Sequence, residues 1–193
     1  MYKTFIAMAL ATGLTFAQTS AQKDRSTART AGESNRMMIT ANDKKFATEA
    51  ALGNMTEVKL GQIAADKATK PEVKEFGQRM VTDHTKANDD LKSVASAQKI
   101  DLPTSLDAKH QAVVDRLSKL SGAEFDRAYV KDMVRDHDAD VKAFQHQSQY
   151  GQDSALRDYA ARTLPTLQDH QKQIHDIDRR LYMKPSPSAS RSK

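Results

Sequence analysis

The sequence contains no cysteine. That excludes disulfides, thiolate metal sites and a lipidated cysteine after a leader peptide. Only seven of its 193 residues are glycine, and none forms a glycine-rich phosphate loop. There is no Ser/His/Asp spacing of a hydrolase and no His-Glu-x-x-His motif of a zinc protease. Beyond the first 21 residues, no run is apolar enough to cross a bilayer. Enzymatic chemistry therefore has no visible nucleophile, and a non-enzymatic role is the favoured expectation.

What the chain does have is helix-rich composition, 38% hydrophobic and 28% charged. Its formal charge of +5 is unevenly placed. Residues 22–45 carry six basic and three acidic side chains, and residues 184–193 carry three basic and no acidic ones. Residues 46–183 hold 20 basic and 22 acidic side chains. No nucleic-acid surface is expected on that central part. The basic flanks could touch an anionic membrane surface or cell wall, although solvated tails are the simpler reading.

Residues 1–21 read as a signal peptide. Lys3 is a basic start, Phe5 to Ala17 is a short apolar run, and cleavage would follow Ala17 or Ala21. An uncleaved anchor is the alternative. The expectation is an exported protein of the periplasm or outer membrane. Residues 22–41 are polar and aperiodic, a flexible linker, and 183–193 a disordered tail.

Residues 42–182 show long helical patterns over about 42–68, 71–99, 123–149 and 154–182. A short helix over about 106–120 crosses between the second and third. Asn42 or Asp43 would cap the first helix and Ser105 the short one. Pro71 suits a first turn, and Pro165 should interrupt the last helix. Two segments repeat at an offset of 53 residues: Phe76 to His84 and Tyr129 to His137, each with Met-Val and Asp-His in the same places.

At mixed spacings of three and four, each long helix presents a small or apolar seam, apart from Thr163. One ionisable residue sits near the middle of each: Glu57, His84, His137 and His170. A buried unpaired charge costs several kcal/mol or titrates away, so the four should meet one another or a metal. Parallel second and third long helices would put Glu57, His84 and His137 at one height. His170 misses that height by about one turn, ~6 Å. Three imidazoles and a carboxylate suit a single transition-metal ion, Zn, Cu or Fe. Residues Asp83, Asp136 and Asp169 precede the histidines. They could orient a histidine on a neighbouring helix, though solvated surface acids are the favoured reading. His110, His146 and His175 fall off the seams and should face solvent.

These residues carry a resemblance to a family. Glu57-Val58-x-Leu60-Gly61, Phe76-x-x-x-Met80-Val81-x-Asp83-His84 and Leu102-Pro103 belong to it. So do Phe125-Asp126-x-x-Tyr129-Val130-x-x-Met133-Val134-x-Asp136-His137 and Leu164-Pro165-x-Leu167-x-x-His170. Over about 42–182 the chain resembles the bacterial "domain of unknown function 4142" family of exported proteins. The resemblance implies an all-α, ferritin-like four-helix bundle with a short additional crossover helix. It places the family's Glu and His positions on Glu57, His84, His137 and His170. Paired Glu-x-x-His motifs of di-iron bundles are absent, since Val81, Val134 and Leu167 stand three residues before the histidines. One function fits a metal-binding envelope protein; the other is a structural or stress-related protein whose polar core holds no metal.

Overall fold

The computed structural model describes residues 39–182. The expected signal peptide, all but the last three residues of the expected linker, and the expected tail lie outside them. The described residues form five helices and no strand: α1 (Ala41–Lys67), α2 (Pro71–Gln98), α3 (Ala108–Ser118), α4 (Gly122–Tyr150) and α5 (Ser154–Tyr182). None of these is long and apolar enough to cross a membrane.

Local chemistry sets the boundaries. Helix α1 begins one residue earlier than expected because Thr40 is the cap, not Asn42 or Asp43. The Thr40 hydroxyl accepts the Asp43 N–H at 3.1 Å, and the Asp43 carboxylate accepts the Thr40 N–H at 3.1 Å. Pro71 opens α2, where a missing N–H has no helical partner to lose. Lys99 ends α2 with a left-handed φ of 57°. Asp107, rather than Ser105, caps α3 by accepting the His110 N–H at 2.8 Å. Gly122, with φ 59°, begins α4. Asp153 caps α5 through the Leu156 N–H at 2.8 Å. Helix α5 is continuous through Pro165, which removes a backbone donor without breaking the element.

Helix α1 packs along α2, and α4 along α5. Contacts between α2 and α5, and between α1 and α4, close a ring of four long helices, with α3 against α1 and α4. The α1–α2 contact is close at two glycines. A Cβ on Gly61 would lie 2.6 Å from the Gly77 carbonyl oxygen.

Two buried aspartates fix the helix directions. At the start of α4, Asp126 accepts the backbone N–H groups of Thr69 (3.0 Å) and Lys70 (3.1 Å) in the α1–α2 turn. Helices α2 and α4 therefore start at the same end and run parallel. At the other end, Asp43 of α1 accepts from Gln147 Nε2 (2.9 Å), and from the N–H groups of Gln152 (3.0 Å) and Asp153 (3.3 Å). Residues 99–121, including α3, return the chain along the length of the molecule.

The core has two apolar clusters. One, toward the α1–α2 turn, contains Leu60, Phe76, Met80, Phe125, Tyr129, Met133 and Ile174. The other, toward Asp43, contains Ala47, Ala51, Leu91, Val141, Phe144, Tyr159 and Leu167. Glu57, His84, His137 and His170 lie between these clusters along every long helix and belong to neither. The seam pattern thus continues through a polar layer at mid-height.

Candidate metal centre

The four ionisable seam residues are buried: Glu57 is 3% exposed, His84 2%, His137 0% and His170 0%. Each comes from a different long helix, and the three rings are mutually close. Ring centroids are 5.9 Å apart for His84–His137, 5.4 Å for His84–His170 and 5.4 Å for His137–His170. One nitrogen from each ring lies within 4.8 Å of the other two, a group that could hold a metal ion. The mutually close set contains the three histidines and not Glu57. Glu57 stands beside them, with Oε2 at 2.9 Å from His84 Nδ1 and Oε1 at 3.6 Å from His137 Nε2.

The hydrogen bonds assign the tautomers. His137 Nδ1 is 3.0 Å from the Met133 carbonyl oxygen, which can only accept, so Nδ1 carries a proton. His170 Nε2 donates to Asp83 Oδ2 at 2.7 Å. His84 Nδ1 lies 2.9 Å from Asn54 Oδ1 as well as from Glu57. Its N–H is directed at the amide oxygen, with the carboxylate at charge-pairing distance. On each ring one nitrogen is held as a donor. The other three, His84 Nε2, His137 Nε2 and His170 Nδ1, have no hydrogen-bond partner among the described residues. A buried polar atom left unmatched costs about 1–3 kcal/mol. Three imidazole lone pairs, each backed by a fixed N–H on the far side of its ring, form the arrangement used around ligated metals.

Electrostatics follow the same geometry. Burial pushes the Glu57 carboxyl up, but the charges of His84 and His137 outweigh it and hold it well below its ordinary value. Burial pushes His84 down; the Glu57 carboxylate more than compensates and raises it. Burial lowers His137, and it lowers His170 to about 4 despite the Asp83 carboxylate. Beside Glu57 the His84 ring takes up a proton more readily than free imidazole, while burial makes His137 and His170 take one up less readily.

Two cavities reach this layer. One of about 420 Å³ opens between α1, α3 and α4 and is lined by Glu57 and His84 together with Asp136 and Asp140. A smaller one of about 180 Å³ opens between α2 and α5 and is lined by Asp83, His84 and His170. His84 and Leu167 line both.

Several residues differ from expectation. Asp83 is not a solvated acid: it orients His170 across the α2–α5 contact and is itself held by Arg79 at 3.1 Å. Asp169 is the solvated kind, with its side chain 72% exposed. Asp136 pairs with Arg135 at 3.2 Å, and burial raises its carboxyl. His110 does not face solvent. It is half-buried against Asp107 and lines the larger cavity, because the crossover lays α3 over α1 and α4. His175 is also only half-exposed, bound to Asp138 at 2.9 Å; His146 is exposed. His170 joins the layer, since counting residues from each turn assumes that both helices leave the turn at one level. Sequence reasoning missed Asn54, which binds His84 and reaches the Tyr159 hydroxyl at 3.4 Å. Its position three residues before Glu57, one turn away on the same face, was the available signal.

A family model described as "Domain of unknown function (DUF4142)" matches residues 17–177. The chain is similar in structure to a DUF305 fragment from Deinococcus radiodurans, with a TM-score of 0.64 at 12% identity. That similarity covers 74% of this chain and 99% of the fragment, and at such identity it concerns the fold alone. No curated protein matches the chain.

Proposed function

The chain belongs to the DUF4142 family, and from that premise we propose that it is an exported, ferritin-like four-helix-bundle protein of the bacterial envelope that binds one transition-metal ion. His84, His137 and His170 are the ligands, with Glu57 beside them as a fourth ligand or as the charge balancing the ion. One observation carries this reading: three buried imidazoles, each with one nitrogen fixed as a donor and the other without a partner. Neutral imidazole suits Zn, Cu and Fe. A Zn, Cu or Fe dication with three neutral imidazoles would carry two positive charges in an apolar interior, and the Glu57 carboxylate halves that. With a single buried carboxylate in the layer, the site is mononuclear rather than a di-iron centre. The closed ring of long helices and the long return through α3 support the ferritin-like arrangement. Export rests on the basic start and apolar run of residues 1–21. The basic flanks would add weak contacts to an anionic surface.

A second reading has one observation in its favour. The Glu57–His84 pair at 2.9 Å and the His170–Asp83 bond at 2.7 Å form a polar network that could fix helix register without an ion. It leaves the three imidazole nitrogens unmatched, which is why metal binding is preferred.

Titration of Zn, Cu and Fe into stripped, folded protein tests the choice. One equivalent of uptake is expected, lost in His84→Ala and His137→Ala with helicity retained. A well-folded wild-type protein that takes up none of these metals supports the second reading.

A further inference from the structure

Only one of the two cavities has the charge to conduct a cation. The larger, of about 420 Å³, has Glu57 and His84 in its lining, so its inner end is the histidine layer. Glu57 is 3% exposed, and neither carboxylate oxygen has a hydrogen-bond partner among the described residues. Asp136 and Asp140 stand one turn apart on the α4 wall of the same cavity, and Glu49 lies on the α1 side. Asp140 has no hydrogen-bond or ion-pair partner among the described residues. The basic side chains in the lining are Lys109 and Arg135, and Arg135 is engaged by Asp132 (3.3 Å) and Asp136 (3.2 Å). Four acidic side chains thus share the cavity with two basic ones, and setting aside the Asp136–Arg135 pair leaves Glu49, Glu57 and Asp140 against Lys109. The volume exceeds that of an ion with its first shell of water, at ~30 Å³ per water molecule.

The smaller cavity lacks these features. Its Asp83 is occupied by His170 and Arg79, its Asp90 by Lys86 at 2.9 Å, and Arg162 adds a further positive charge.

We infer that the cavity between α1, α3 and α4 is the entry and exit route for a divalent cation, with Asp140 and Asp136 guiding it to Glu57 and the three histidines. This inference rests on the metal-binding reading above. A carboxylate on a route stabilises the ion in passage more than in its final site. Its removal should therefore slow arrival and departure together and leave the equilibrium nearly unchanged. Charge-lined clefts change association rates by ~10–1000-fold, and the effect fades with ionic strength.

The test is stopped-flow uptake of Co²⁺ or Zn²⁺ by full-length protein, with release followed into a chelator. In Asp140→Asn, and further in Asp136→Asn/Asp140→Asn, association and dissociation are each expected to fall about tenfold at low salt. Affinity should stay within about threefold, and Asp90→Asn in the opposite cavity should match wild type. Unchanged rates in the Asp140 and Asp136 variants, or an equal slowing in Asp90→Asn, would overturn the route and leave the site intact. Absence of stoichiometric uptake by wild type would overturn the site itself, and the route with it.

Discussion

Three buried carboxylates define two kinds of region in this molecule. Asp43 and Asp126, near the two ends, are buried and accept backbone N–H groups from the adjoining turns. Their oxygens are matched. Glu57, at mid-height, is nearly as deeply buried, but it meets imidazoles rather than backbone N–H groups, with His84 at 2.9 Å, and three nearby imidazoles each leave a nitrogen unmatched. The ends are assembled as stability would require. The middle keeps polar atoms in reserve, and that difference is what a binding site, unlike a structural polar contact, would require.

The largest effect is expected at an end. Asp43→Ala would strand the buried Asp153 N–H and Gln147 amide, at about 1–3 kcal/mol each, and would remove the partner of the more exposed Gln152 N–H. A loss of about 3–4 kcal/mol by urea denaturation is expected, whether or not metal is present. A loss confined to metal-loaded protein would break the distinction between ends and middle.

Acid should expose the middle. His170 has a folded pKa of about 4 against an ordinary 6.5, so between those values the unfolded chain binds a proton that the folded one refuses. Its contribution is therefore present above pH 6.5 and lost as pH falls toward 4, by up to about 3 kcal/mol at 1.36 kcal/mol per unit. His137, lowered in the same direction, adds to the loss. His84, raised by Glu57, contributes oppositely: its stabilisation is full below 6.5 and fades as pH rises through its folded pKa. Denaturation of metal-free protein from pH 7.5 to 4, compared with His170→Gln, checks the sign. A His170→Gln profile as steep as wild type would contradict it.

A smaller effect separates orientation from packing. Asp83→Asn removes the carboxylate that sets the His170 tautomer, and loss of such a partner typically weakens metal binding ~10–100-fold. Calorimetric titration should show that loss with little change in metal-free stability. The smallest effect is expected from the look-alike pair on the same helix. His175 donates to Asp138 at 2.9 Å, but both are more than a third exposed. Asp138→Asn should change stability by less than about 1 kcal/mol and leave metal affinity alone. The same His–Asp chemistry thus acquires consequence only where water is excluded.

The helices and the polar layer were legible in the sequence because both follow from spacing. Apolar residues at intervals of three and four mark the seams, and one ionisable residue interrupts each. Features that depend on a single backbone angle or on a neighbouring helix were not legible. Thr40 rather than Asp43 caps α1, but the two residues bond reciprocally, and spacing cannot rank them. Asp83 adjoins His84 in sequence yet serves His170, because adjacent residues on a helix point to different neighbours. The spacing of His110 reads as solvent-facing, since its own helix gives no sign that the crossover folds it over α1 and α4. The resemblance places Glu57 with the histidines as an equal, whereas in the structure it stands to one side of their mutually close nitrogens.

The parallel course of α2 and α4 divides the chain into two local hairpins, α1 with α2 and α4 with α5. Each carries half of the layer: Glu57 and His84 on one, His137 and His170 on the other. Neither hairpin alone can offer an ion three imidazoles. The three-imidazole set exists only when the two hairpins, joined by the 99–121 return, are docked, so an ion seated there would clasp segments distant in sequence, and its uptake would report that the two jaws have closed.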